Sequence, residues 1–487
     1  MITLRFFVLL FCLKESIMGR NRNRKPYLEE VEITDFGAEG KALGKVDEKV
    51  VFVPFTAPGD IVDVQVSKKR KNFMVGRAEK FHRYSELRTE PFCKHFGVCG
   101  GCKWQHVPYD KQLEFKQQQV TDQLTRIGHL DIPEVSPILG SDKTQYYRNK
   151  LEFTFSNMKW ITDYRDDMDF DQMNMNGLGF HPPGMFDRIL DLEECYLQPD
   201  LSNVIRKRVK ELAELNGYSF YNARKKEGLL RNVLIRNNEN DQWMVVLILN
   251  SENRQALENI LKPLKQEIPR VTSTMYIVNN KLNDSLDGLQ AKPFEGETYL
   301  TEKLEDLIFK VGPLSFFQTN TGQALNMYRK VRLFADIQQD DIVYDLYTGT
   351  GSIALFVAEQ ARKVVGIEYV PEAIHDANVN KEWNKVENAE FFAGDMVEVL
   401  SDDFIAEQGR PDVIIADPPR AGMHKDVISQ MLKIAPRRIV YVSCNPATQA
   451  RDVAMMTDKY EIKKVQPVDM FPHTHHVENI LLLERID

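Results

Sequence analysis

The chain has 487 residues, 43% apolar and 28% charged, and its 63 Lys plus Arg against 71 Asp plus Glu leave a formal net charge of −8. That balance excludes a disordered, collagen-like or disulfide-scaffold protein and a uniformly basic nucleic-acid coat, but not a local basic patch. The length suggests about three domains. The six cysteines (Cys12, Cys93, Cys99, Cys102, Cys195 and Cys444) are too sparse for a secreted disulfide framework.

Residues 1–13 read MITLRFFVLLFCL, too short a run to span a bilayer and without the flanks of a strong signal peptide. Met18 opens a more ordinary start, so residues 1–18 are read as an extension or a mis-assigned beginning. No other stretch approaches the roughly 18 apolar residues of a membrane span, and a soluble, cytoplasmic, monomeric protein is expected.

Residues 19–85 hold a small β-barrel. Leu28–Thr34, Lys41–Val46, Lys49–Val53, Ile61–Lys68 and Asn72–Lys80 read as short strands punctuated by Gly and Pro, the pattern of an oligonucleotide-binding barrel. Lys68, Lys69, Arg70 and Lys71 form a basic turn, and Arg77 follows among aromatic neighbours, which suits RNA backbone contact with base stacking. A solvated hairpin tip is the plainer alternative. Cys93, Cys99 and Cys102 crowd into ten residues and suggest a metal or cluster site in a reducing compartment. Residues 109–128 show a helical pattern, with Leu113, Val120, Leu124 and Ile127 on one face and Gly128 closing it.

From 86 to 311 the pattern is mixed α+β. Strands are expected at Leu151–Phe155, Leu178–His181, Leu229–Arg236, Trp243–Asn250 and Thr274–Val278, helices near 200–215 and 254–266, and an acidic loop tip at Asp163–Asp171. From 312 to 487 strand, turn and helix alternate, with strands at Ile342–Leu346, Lys363–Ile367, Ala389–Phe392, Val413–Ala416, Arg438–Val442 and Ile480–Glu484. That rhythm predicts a doubly wound, mostly parallel sheet of Rossmann type in an α/β protein.

Four motifs in this last region carry chemistry. Asp345-Leu-Tyr-Thr-Gly349-Thr-Gly351-Ser352 is a glycine turn that brings backbone close to a ligand at a helix N-terminus. Glu368, at the end of the next strand, can accept bonds from ribose hydroxyls. The turn suits a nucleoside cofactor, whether a nicotinamide nucleotide or S-adenosylmethionine. Asp417-Pro-Pro-Arg420 stiffens a loop at the C-terminal sheet edge and argues against an exocyclic-amine substrate. Ser443-Cys444-Asn445-Pro446 sets Cys444 at a strand end before a helix N-terminus, where a thiol's pKa is lowered and its thiolate becomes a nucleophile. Phe471-Pro-His473-Thr-His475-His476-Val-Glu478 has three histidines, but His475 and His476 would point apart on an extended segment, against a metal site. Glu478 can face the same cleft as a base.

Together with Phe316-Phe317-Gln318-Thr319-Asn320, these motifs resemble the RNA uracil-5-methyltransferases. The 23S ribosomal RNA branch of that family also has an N-terminal TRAM barrel and an iron–sulfur site of the form Cys-x5-Cys-x2-Cys plus a distant Cys. Both are matched here, the second by Cys93, Cys99, Cys102 and Cys195. The resemblance implies a [4Fe–4S] cluster on these four thiols, where four cysteines by themselves would suit zinc as well. It implies S-adenosylmethionine as methyl donor, bound by Gln318, Tyr347, Ser352, Glu368, Asp395 and Asp417. It makes Cys444 the nucleophile at uracil C6 and Glu478 the acceptor of the C5 proton. Two positions depart from the usual pattern: Thr348 stands for a frequent Cys and Ser352 for a frequent Asn, which touches donor affinity rather than activity. The implied substrate is ribosomal RNA, at the 1939-type uridine. The resemblance also lends residues 109–128 to the catalytic domain in space. Two other readings stay open: a transfer-RNA target, disfavoured because that branch generally lacks barrel and cluster, and a non-catalytic RNA-binding iron–sulfur protein, disfavoured by Cys444 and Glu478 both being present.

Overall fold

The computed structural model describes residues 25–37, 40–170 and 172–486, so Cys12 and the alternative start at Met18 lie outside the described residues. The described chain forms two compact units. One runs to Phe92 and includes Lys103–Gln112; the other comprises Cys93–Cys102 and Leu113 onward.

In the first unit β1 (Tyr27–Phe36), β2 (Ala42–Val46), β3 (Lys49–Val53), β4 (Ile61–Lys69) and β5 (Phe73–Arg83) close into a barrel in the order β1-β2-β3-β5-β4. Alternate residues point inward along a strand, so Val31, Ile33, Val51, Val53, Val62, Val64 and Val66 fill the interior. Closure needs Gly76, because a Cβ there would sit 2.2 Å from Val64 on β4. Asp60, fully buried, ties the β3–β4 turn to the exit of β5. It accepts the Ala57 and Ser85 amides at 2.7 and 2.8 Å and the Arg88 guanidinium at 2.8 Å.

The second unit contains two seven-stranded sheets. Its first part runs β6 (Lys150–Ser156), β7 (Gly177–Phe180), β8 (Leu190–Asp191), α2 (Leu201–Leu215), β9 (Leu230–Asn237), β10 (Trp243–Leu249), α3 (Arg254–Glu267), β11 (Val271–Val278) and β12 (Lys292–Gly296). The sheet order is β12-β11-β10-β9-β6-β7-β8. Helices α2 and α3 lay Ile205, Val209, Leu257, Ile260 and Leu264 against Phe153, Val233 and Val245. A hairpin, β13 (Leu300–Leu304) and β14 (Leu307–Val311), leads into the second part.

There α4 (Thr321–Ala335), β15 (Ile342–Leu346), α5 (Ser352–Val357), β16 (Lys363–Glu368), α6 (Pro371–Trp383), β17 (Ala389–Ala393), α7 (Met396–Val399), α8 (Asp402–Gln408), β18 (Val413–Ala416), α9 (Lys425–Ile434), β19 (Arg438–Ser443), α10 (Pro446–Ala454), β20 (Tyr460–Val468) and β21 (Glu478–Arg485) form an α/β assembly. The sheet order is β17-β16-β15-β18-β19-β21-β20. The first five strands are parallel, and β21 returns antiparallel between β19 and β20. Both faces are covered: Val343 joins a core with α4 and α5, while Ile342, Tyr344 and Leu346 join one with α9 and α10.

The helix at 109–128 is α1 (Tyr109–Asp122) followed by a wider turn at Gln123–Ile127. Val120 and Leu124 enter the core with Ala450 and Val453, as the helical pattern requires. Ile127 does not; the wider last turn rotates it off that face, and it is 56% exposed. Strands β8, β12, β13, β14 and β20 are absent from the expected set. Three of them, β8, β12 and β20, lie at the edges of the seven-stranded sheets, where charges and a proline such as Pro467 are tolerated and blur the apolar signal.

Candidate active site

Connections leave β15 and β18 toward opposite sides of the sheet, so a crevice opens beyond the carboxyl ends of these neighbouring strands. The glycine turn lies there. Tyr347, Gly349 and Gly351 all have positive φ (64°, 56° and 77°), and a non-glycine residue held in that region is strained. Gly366 on β16 makes room for the Phe391 ring and for the turn, since a Cβ there would fall 2.5 Å from the ring and 3.0 Å from Thr348 Cγ2.

Six residues were expected to hold the methyl donor, and several already support this crevice. Glu368 accepts the Gly349 amide at 3.1 Å and the Val370 amide at 3.0 Å, so it braces the turn at the end of β16. Asp395 caps α7 through the Val397 amide at 2.9 Å. Ser352, the first residue of α5, shares a 3.0 Å hydrogen bond with the buried Tyr328 hydroxyl. Gln318 is tied through its carbonyl to the Asn149 amide group at 3.0 Å. Asp417 follows β18, its amide donating to the Leu346 carbonyl at 3.3 Å. Beneath the turn Asp345 accepts the Ala354 amide at 3.0 Å, while its Oδ1 is buried without a partner. Open space at Gly349 and an orphaned carboxylate oxygen below it fit a bound nucleoside.

Burial dominates the electrostatics. It pushes Asp345 and Asp417 up to about 7 and Glu478 up to about 8, with Asp417 raising Glu478 further and Arg420 opposing. Cys444 departs from its expectation. Its thiol is pushed up to about 11, first by burial and then by the Glu478 and Asp417 charges, with Arg420 only partly offsetting them. Asn445 does cap α10, accepting the Ala447 amide at 3.3 Å, but one helix end is outweighed by two carboxyls in a poorly hydrated site.

Register brings Cys444 and Glu478 together. Val442 pairs with Ile480 and Ser443 with Asn479 across β19 and β21. One step further sets Cys444 opposite Glu478, and directly opposed residues share a face. A buried pair holds the entry to β21. Lys116 on α1 donates to Asp469 Oδ1 at 2.6 Å and to the Phe471 carbonyl at 3.2 Å, both side chains being wholly buried. Lys116, Asp469, Tyr328 and the Arg420–His476 contact at 3.0 Å were not among the expected site residues. A lone lysine in a polar-looking helix gives no sequence signal. His475 and His476 do not point apart: His473 has φ 63°, the segment turns, and the two rings lie 4.1 Å apart.

Cys93, Cys99, Cys102 and Cys195 lie in one region of the second unit. Cys195 is buried, and its thiol is pushed up to about 12 by burial and then by the charges of the other three. The donor set suits four-thiolate ligation, although among the described residues no three His, Cys, Asp or Glu side chains stand arranged around a metal position. In the first unit Lys68 and Lys69 end β4, and Arg70 and Lys71 form an exposed tight turn, with the Arg70 amide donating to the Phe73 carbonyl at 2.8 Å. Arg77 is already bonded to Glu79 at 2.6 Å, which reduces its free charge. Among the described residues no helix is long and apolar enough to cross a membrane.

Comparison with known proteins supplies the remaining findings. The model of the tRNA (uracil-5-)-methyltransferase family matches residues 294–486, and that of the TRAM domain matches residues 29–78. An uncharacterized RNA methyltransferase of Bacteroides thetaiotaomicron is 54% identical over 92% of this chain and 99% of its own. Another, of Chlorobaculum tepidum, is 39% identical over 96% of this chain and 98% of its own. Among solved structures, the tRNA (uracil-54, C5)-methyltransferase of Pyrococcus abyssi in complex with S-adenosyl-L-homocysteine is 32% identical. It has a TM-score of 0.73 over 93% of this chain and 99% of its own. So long a match reaches across the barrel, and the barrel therefore does not separate ribosomal from transfer-RNA targets, contrary to expectation.

Proposed function

The chain belongs to the RNA uracil-5-methyltransferase family and carries a TRAM domain, and from that premise we propose that it methylates C5 of the 1939-type uridine of 23S ribosomal RNA through a covalent adduct of Cys444. The observation that carries the reaction is the β19–β21 register, with Cys444 opposite Glu478 and Asp417 within charge range of both.

Uracil C5 is a weak nucleophile by itself. As thiolate, Cys444 adds to C6 and leaves an enolate-like centre at C5, which bonds the methyl carbon as the methyl–sulfonium bond breaks and the donor leaves as a thioether. S-adenosylmethionine, the methyl donor, supplies an electrophilic methyl group when bound by Gln318, Tyr347, Ser352, Glu368, Asp395 and Asp417. Glu478 then takes the proton from C5, and the sulfur–C6 bond breaks to restore the ring double bond. The target base must leave its stack to enter the crevice.

Cys93, Cys99, Cys102 and Cys195 are proposed to hold a structural [4Fe–4S] cluster, supported by three thiols lying within charge range of a buried Cys195. Anaerobically purified protein is expected to be brown, with about four irons and four acid-labile sulfides per chain. A colourless protein with one zinc rejects the cluster.

The 32% identical transfer-RNA enzyme favours a second reading, a transfer-RNA uridine. Mass mapping of 5-methyluridine in both RNAs from a deletion strain decides. Loss confined to the 1939-type ribosomal site supports the first reading, loss confined to transfer RNA the second, and no loss in either RNA rejects both.

A further inference from the structure

A cavity of about 330 Å³ lies in the second unit apart from the residues assigned to chemistry, at the meeting of the central sheet, the β13–β14 hairpin and the start of α4. We propose that it receives a second base of the RNA substrate, one carrying an exocyclic amine, while the target uracil occupies the crevice; this rests on the RNA-methyltransferase reading above.

The argument starts at Asn149, which lines the cavity and is only 6% exposed. Its Nδ2 donates to the Gln318 carbonyl at 3.0 Å, to Thr321 Oγ1 at 3.0 Å and to Glu302 at 3.2 Å. A carbonyl only accepts, so the amide orientation is fixed, and Oδ1 is left buried without a partner. A buried acceptor without a donor costs free energy, and a ligand amine would satisfy it. Glu302, beside Asn149, is 3% exposed, and burial holds its carboxyl up to about 8, so it stays protonated and can both donate and accept. Trp243 forms part of the wall and is fully buried, and the half-exposed Tyr146, strained at φ 57°, offers a ring at the rim.

The lining is mixed in charge and makes no cationic cradle for phosphate: Lys143 and Arg148 stand with Asp142 and Glu239, while Asp241 is paired with Arg270. A neutral planar ring with an amine suits a polar wall with an unmet acceptor, and the volume matches the smaller ligand pockets of proteins. A relay of side chains links the cavity to the chemistry. Arg148 lies 4.9 Å from the Phe471 ring centre, Phe471 is 6.2 Å from the His476 ring, and His476 bonds Arg420. Nucleotides of one strand, adjacent or a few positions apart, would then occupy crevice and cavity together.

Gly322 offers a clean test, because it lines the cavity and a Cβ there meets nothing within 4 Å. The probe is a ribosomal stem–loop carrying the 1939-type uridine, with each flanking nucleotide made abasic in turn and affinity read by fluorescence anisotropy. In the wild type one abasic position should weaken binding about 5- to 150-fold, the range for stacking one base on an aromatic side chain. Gly322→Leu and Gly322→Phe should weaken the intact RNA similarly, keep S-adenosylmethionine affinity, and abolish the penalty of that one abasic position. Equal abasic penalties in wild type and both variants overturn the proposal, as does a wild type with no sensitive flanking position. Binding needs no methyl transfer, so coupling without methylation would reject the reaction alone, and methylation without coupling the cavity alone.

Discussion

Cys444 stands as a thiol near neutrality, because burial and two carboxyls hold it up to about 11. Glu478, up to about 8, is largely protonated near neutrality, so only its ionised fraction can accept the C5 proton. Their proposed roles predict different failures. Cys444→Ala should form no adduct with RNA. Glu478→Gln keeps the nucleophile and loses the base, so a denaturant-stable adduct should accumulate with ordinary RNA and turnover should fall about 10²–10⁴-fold. The wild type should show the adduct only with 5-fluorouridine RNA. A shifted band for Cys444→Ala on a denaturing gel would reverse the assignment. Glu478 and three other buried carboxyls set a pH dependence of stability. Asp345, Asp417, Glu302 and Glu478 all have pKa values raised to between about 7 and 8. The folded state then binds more protons than the unfolded one above the ordinary carboxylate range, and their contribution is lost as pH rises through 7 to 8. Melting of the ligand-free protein should therefore occur at lower temperature at pH 8.5 than at pH 6, and Glu478→Gln should flatten that slope. An unchanged slope would mean that Glu478 is already ionised near pH 6.

At the scale of elements, the segment from Asp469 to Glu478 is steered by α1 through Lys116. Asp469 also accepts the Phe471 amide at 3.0 Å, so one carboxylate shapes the turn and neutralises the lysine. Removing one partner of a buried pair leaves an uncompensated charge, and Asp469→Ala should destabilise the protein by about 3–5 kcal/mol in urea unfolding. The double variant Lys116→Met/Asp469→Leu should recover most of that loss. If it remains as unstable as the single variant, packing rather than charge accounts for the defect. The strands bearing the motifs were legible because Gly and Pro turns bound them sharply. β20 was not, since Glu461, Lys463 and Lys464 face out from an edge strand and Pro467 interrupts the apolar run.

For the whole molecule, a chain of net charge −8 must gather its RNA-attracting charge locally. The β4–β5 tip with Lys68–Lys71 is the place proposed for it. Neutralising the four residues should weaken RNA binding and lower the slope of log affinity against log salt by roughly one unit for each phosphate left without a cationic partner, with S-adenosylmethionine affinity unchanged. An unaltered slope would reduce the turn to a solvated tip. Arg77→Ala should add little, since its guanidinium is bonded to Glu79.

The sequence by itself determined the local units: five short barrel strands, the βα rhythm of the last third, and glycine, proline and acidic motifs at strand ends, since period-two burial and turn chemistry are properties of neighbouring residues. Tertiary structure decided what those motifs meet. Glu478 faces Cys444 because β21 runs antiparallel beside β19 in one particular register. Cys195 joins cysteines nearly a hundred residues earlier because the central sheet packs against their loop. The thiol rises rather than falls because desolvation depends on everything around it, and no spacing along the chain encodes how much water a fold will exclude.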